Sequence, residues 1–134
     1  MSSNEDYEKT ALEAASRTFV NPAAKIEADQ MVEYYSSPFL AWQTYEYKLG
    51  VFKEGGTNGP WTQRAGVEFS SSSANQDRLA CSTDRVFGDR CILLARYGRY
   101  VVFFRANLSD EFTVQDVQPL LREIDERMSY CADK

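Results

Sequence analysis

The sequence predicts an α+β domain: an antiparallel meander of about five strands with an N-terminal and a C-terminal helix packed on it. Three observations carry this. The stretch CSTDRVFGDRCILLARYGRYVVFF (81–104) holds two hairpin signals inside a dense apolar run. Residues 44–53 and 62–70 alternate between apolar and polar side chains. Residues 113–128 place an apolar stripe at helical spacing behind a capping signature.

In chain order, residues 4–19 read as a helix. Asn4 is a fair N-cap, Glu5 and Asp6 suit the positive end of the helix dipole, and Tyr7, Ala11, Leu12, Ala15 and Phe19 form a stripe. Asn21-Pro22 breaks it and starts a second helix over 22–35, with Pro22 at its first position and Ala23, Ile26, Met31, Val32 and Tyr35 as a ragged apolar pattern. Ser36-Ser37-Pro38 ends that helix. In 44–53, Tyr45, Tyr47, Leu49 and Val51 point one way and Glu46 and Lys48 the other, as in a half-buried strand. KEGGTNGP (53–60) is a flexible loop, 62–70 alternates through Ala65, Val67 and Phe69, and SSSSANQD (70–77) is a polar connector.

The opening stretch then fixes a register. RYGRY puts Gly98-Arg99 in a two-residue turn, which opposes Tyr97 to Tyr100, Ala95 to Val102, Leu93 to Phe104 and Cys91 to Ala106. A three-residue turn at Arg85–Phe87 opposes Cys81 to Cys91 and Leu79 to Leu93, so the strand 90–97 is expected to be central, flanked on both sides. Thr113 and Asp116 resemble a capping box, and Val114, Val117, Leu120, Leu121, Ile124 and Met128 share one helix face. Pro119 places the regular helix near its own position, with a 3₁₀ turn before it.

This register sorts the sheet faces. One face carries Leu79, Cys81, Cys91, Leu93, Ala95, Tyr97, Tyr100, Val102 and Phe104, and is expected to receive the C-terminal helix. The other carries Ala80, Ile92, Leu94, Val101 and Phe103 among Arg78, Arg96 and Arg105. Arg78, Arg96, Arg105 and Phe103 are the candidate binding surface, because guanidinium forks on an apolar floor suit a carboxylate or phosphate. The alternative is that the arginine stems merely cover an outer face. A second, aromatic concentration includes Trp42, Tyr45 and Trp61 as a secondary candidate surface.

Opposed cross-strand residues bring their Cβ atoms to about 4.5–5.5 Å, near the reach of a disulfide, so Cys81 and Cys91 are expected to be bonded and Cys131 left free. The alternative is two buried thiols. A disulfide favours an extracytoplasmic setting, periplasmic or secreted, over a cytoplasmic one. MSSNEDYEK carries no signal core, so an extracytoplasmic chain implies a signal or lipid anchor already removed. Asn107-Leu108-Ser109 is a sequon with nothing else to support its use.

Composition bounds the function. The 134 residues fit one domain, 1–134, and 43% hydrophobic with 13% aromatic residues is a globular composition. A net charge of −5 argues against nucleic acid and anionic membranes as main partners. No apolar run exceeds five residues, as in Cys91–Ala95 and Tyr100–Phe104, so no membrane span is expected. The chain has no histidine, which removes Ser-His and Cys-His nucleophile pairs and the commonest metal ligand. Three cysteines do not complete a zinc site, so no metal or cofactor is expected. Asp84 with Asp89, and Glu123 with Asp125, are the remaining carboxylate pairs, and each also reads as a solvated turn or helix face. The expectation is a non-catalytic extracytoplasmic binding or protein-interaction domain, the soluble part of a secreted protein or lipoprotein. Its partner would be a protein or a small anionic ligand, with a homodimer among the alternatives. A cytoplasmic acidic adaptor or inhibitor comes second, and a small enzyme without histidine chemistry third.

Overall fold

The computed structural model describes residues 11–23, 25–54, 62–84 and 88–131. Two strands, β1 (Ala11–Val20) and β2 (Ile26–Tyr35), form a hairpin and lead into α1 (Pro38–Glu54). Three further strands, β3 (Gln76–Asp84), β4 (Gly88–Tyr97) and β5 (Tyr100–Asn107), precede α2 (Val114–Ser129). All pairings are antiparallel, in the order β1-β2-β5-β4-β3. The five-stranded antiparallel sheet with one helix from each side of the chain is the α+β class expected, but the sheet is not a simple meander. The chain crosses over from β2 by way of α1 and β3, and β2 pairs with β5. β4 is flanked on both sides, and the middle of the sheet falls to β5 because β2 pairs with it.

Several elements differ from the sequence reading. Residues 11–19 belong to a strand, not a helix, and 4–10 lie outside the described residues. Asn21 explains the change: its side-chain oxygen accepts the N–H groups of Ala23 and Lys25, each at 2.9 Å, and its own N–H reaches the Lys25 carbonyl. That is a hairpin turn, not a junction of two helices. Residues 26–35 are likewise a strand, paired to β1 on one side and β5 on the other.

Residues 44–53 form part of α1 instead of a strand. Ser37 caps it, its hydroxyl accepting the Leu40 N–H at 3.2 Å, with Pro38 at the first position. Ala41, Tyr45 and Leu49 are four apart and meet the sheet along one face. Of the expected strand 62–70, only Thr62 pairs, in a single bridge to Cys81. Gly66, at φ +88°, turns the chain away, and a side chain there would meet Val114 at 3.0 Å. Lys53 and Glu54 close α1, and the rest of the expected loop 53–60 lies outside the described residues, as does the 85–87 turn.

The hairpin registers hold throughout: Cys81 faces Cys91, Leu79 faces Leu93, and Tyr97 faces Tyr100 across Gly98-Arg99. Gly98 has φ +61°, the left-handed region that two-residue hairpin turns need. The expected first face receives α2: Val117, Leu121, Ile124 and Met128 pack with Leu93, Ala95, Val102 and Phe104. The helix is regular from Val114 and runs through Pro119, which falls near its N-terminus. Asp116 accepts the Thr113 N–H at 2.8 Å, as the capping box requires. The second face is covered in part by α1, which sets Ala41 and Tyr45 on Leu94, Val101 and Tyr35.

Candidate functional site

The site is built on the outer edge of β3. Cys81 and Cys91 are joined by a disulfide that ties this edge strand to β4, and Cys131 is free. On its other side Cys81 exchanges two backbone hydrogen bonds with Thr62, at 2.7 and 2.8 Å. The backbone groups of Cys81 therefore point outward. In an antiparallel ladder the same direction recurs two and four residues on, at Leu79 and Asp77. Neither has a backbone partner on that side among the described residues.

After Thr62 the chain leaves the edge and is held at a distance from it. Arg64 binds Asp89 at 2.8 Å, and Thr83 donates to the same carboxylate at 2.7 Å. The Arg64 hydrogen bond, then that of Thr83, holds the Asp89 carboxyl below its ordinary value. Farther on, the Gln118 side chain of α2 takes both the N–H and the carbonyl of Glu68, each at 2.9 Å. Val67 is buried against the core. Between this strap and β3 lies a cleft of about 670 Å³, lined among others by Arg64, Glu68, Phe69, Asp77, Arg78 and Leu79.

Charge in the cleft is mixed. Burial, and then the nearby Asp125 carboxylate, raise the Asp77 carboxyl above its ordinary value. Burial also pushes the Tyr45 hydroxyl up to about 12, with Asp77 adding to the shift and Arg78 and Arg96 opposing it. Arg78 is exposed and has no ion pair among the described residues.

The three candidate arginines do lie on one sheet face by register, but in different surroundings. Only Arg78 reaches the cleft. Arg96 is half-buried, donating to Gln76 at 2.7 Å and to the Gly98 carbonyl at 2.9 Å, and burial lowers its pKa. Arg105 binds Asp29 at 2.7 Å on the neighbouring strand. Phe103 packs beneath α1 and against Ile92. Of the aromatic set, Tyr45 is buried, Trp42 is exposed and stacks on Phe39 at 5.9 Å, and Trp61 lies outside the described residues.

Of the carboxylate pairs, Asp89, Glu123 and Asp125 are engaged in the fold. Asp89 is held as above, and Glu123 binds Arg17 at 2.9 Å and Arg127 at 3.1 Å. Asp125 accepts the Ser71 and Tyr97 hydroxyls. Among the described residues no cluster of potential metal ligands occurs, and no helix is long and apolar enough to cross a membrane. Sequence reasoning missed Arg64, Glu68 and Asp77, because a strap stopping short of an edge strand leaves no local pattern. No family model, no curated protein and no solved structure matches the chain.

Proposed function

We propose that this chain is a non-catalytic binding domain of an extracytoplasmic setting, and that its ligand is an extended peptide segment added to β3. The observation that supports this is the β3 edge beyond the Thr62 bridge, which opens onto the cleft with no partner strand among the described residues. A peptide lying there continues the ladder that Thr62 begins, taking affinity from main-chain hydrogen bonds and selectivity from alternate side chains. Arg78 favours an acidic residue in that peptide, through a charge-assisted contact. The disulfide supports the compartment, since such bonds persist where thiols are not kept reduced.

Selection from a library of short extended peptides tests the reading, followed by Leu79→Pro. The Leu79 N–H faces the cleft and not β4, so proline there removes the ligand's bond and spares the sheet. Binding should fall at least tenfold while the melting temperature holds. Peptides that bind the variant as well as the native chain would sink the proposal. So would slow amide exchange at Leu79 in the free protein.

A further inference from the structure

We propose that β1 pairs with β1 of a second copy of this chain, in one antiparallel register centred on Ala15. The opposite edge of the sheet is involved, so this is independent of the β3 reading.

β1 is the outer strand at its end of the sheet, ten residues long, and among the described residues its outer backbone groups have no partner strand. Edge strands are ordinarily protected by proline, by lysine, by bulges or by inward-pointing charges. β1 has register shifts only near its ends, at Ala11/Glu13 and Phe19/Val20, and one inward charge, Arg17, already paired with Glu123. ALEAASRTFV has no proline and no lysine, and its middle is Ala14-Ala15-Ser16, all exposed. Leu12 and Val20 are 60% and 57% exposed. α1 packs mainly on β2, β4 and β5, so it leaves the β1 side of that face uncovered.

The charges select the occupant and the register. β1 carries two, Glu13 and Arg17, and both lie on the α2 side, with Arg17 binding Glu123 at 2.9 Å. A two-fold axis normal to the sheet keeps the faces continuous and must pass midway between one residue of the strand and its own copy. Centred on Glu13 or on Arg17, it opposes a charge to its own copy. Centred on Ala14 it sets Glu13 against Ala15 and Arg17 against Ala11. Centred on Ser16 it sets Glu13 against Phe19 and Arg17 against Ala15. Centred on Ala15 it sets Glu13 against the other copy's Arg17 twice over, with Ala14 against Ser16, all within the regular stretch 13–19. Opposite charges directly across a ladder stabilise it and like charges oppose it, so this register alone satisfies both charges. Arg17 keeps a 34% exposed side chain with which to meet the second carboxylate. The product is a continuous ten-stranded sheet, with small side chains at its centre.

Sedimentation equilibrium of the chain carrying Cys131→Ser, without reductant, tests this. The expected result is a reversible dimer. Ala15→Lys and Ala15→Glu each oppose like charges at the axis and should raise the dimer dissociation constant at least tenfold. Mixing the two variants should restore a dimer, since Lys then faces Glu. Glu13→Arg should also weaken the dimer, by setting arginine against arginine. Ala15 is exposed, so a melting temperature equal to the native chain's at a concentration where both are monomeric confirms that each variant folds. A monomer at all concentrations overturns the proposal, as does a dimer that Ala15→Lys and Glu13→Arg leave unmoved. Protected amides along the β1 edge of a monomer overturn it too, by placing the cover within one chain.

Discussion

Tyr97 donates its hydroxyl to the Asp125 carboxylate across 2.7 Å, tying the end of β4 to α2. The same oxygen of Asp125 accepts the Ser71 hydroxyl, and Ser71 in turn accepts the N–H groups of Ser73 and Ala74. One carboxylate thus holds a strand, a helix and the connector into β3. Tyr97 is fully buried, and burial, followed by this hydrogen bond to Asp125, raises its pKa. Tyr97→Phe should cost about 1–3 kcal/mol, because a charged acceptor loses a buried donor. Urea unfolding measures it. The loss should shrink in Asp125→Asn, where the acceptor is neutral.

The cystine between Cys81 and Cys91 closes a short loop, and Cys131 stands outside it. Mass spectrometry of a non-reduced digest should show the Cys81–Cys91 link and one titratable thiol. Replacing both linked cysteines by serine should destabilise by up to about 3 kcal/mol. A link from Cys131 to either one would contradict the β3–β4 register.

α2 offers a third measurement. Leu121 is 1% exposed within the main core and Leu120 only half-buried. Leu121→Ala should cost about 2–5 kcal/mol, and Leu120→Ala distinctly less. Equal losses in thermal unfolding would mean that the helix presents a different face to the sheet.

What was legible in the sequence was local or nearly so. Gly98-Arg99 sets the β4–β5 register by itself, the three-residue spacing between Asp84 and Gly88 opposes the two cysteines, and α2 carries its own cap and stripe. The first third of the chain was misread because its strands bury polar residues whose partners come from elsewhere. Gln30 is buried against Arg17, Glu33 is buried beside Lys48 of α1, and Asp29 meets Arg105 of β5. Those three interrupt the period-two pattern, and nothing nearby in sequence announces their partners. Residues 44–53 fit both periods: Tyr45 and Leu49 are an even number apart and also one helical turn apart. Only the Ser37 cap decides, and Ser-Pro reads as a stop as easily as a start. The cleft was invisible for a different reason, being the gap left where Thr62 pairs and Arg64 turns away.

Two aspartates beside the cleft should answer acid in opposite senses. Asp77 has its carboxyl raised above 3.8, first by burial and then by Asp125, so the folded state resists its charged form. That penalty is absent below 3.8 and appears as pH rises through the raised value. Asp77→Asn should therefore raise the melting temperature at neutral pH and leave it unchanged in strong acid. Asp89 is the reverse case. Arg64 and Thr83 hold its carboxyl below 3.8, so its contribution is present above 3.8 and is lost as pH falls through the lowered value. Asp89→Asn should lower the melting temperature at neutral pH. The effect should be small, since an exposed pair contributes at most about 1 kcal/mol and is screened by salt. Melting curves of both variants across acid pH, at low and high salt, check the pair. If Asp77→Asn destabilises at neutral pH, its charge is being used, and the cleft holds a cation or donor facing that carboxylate.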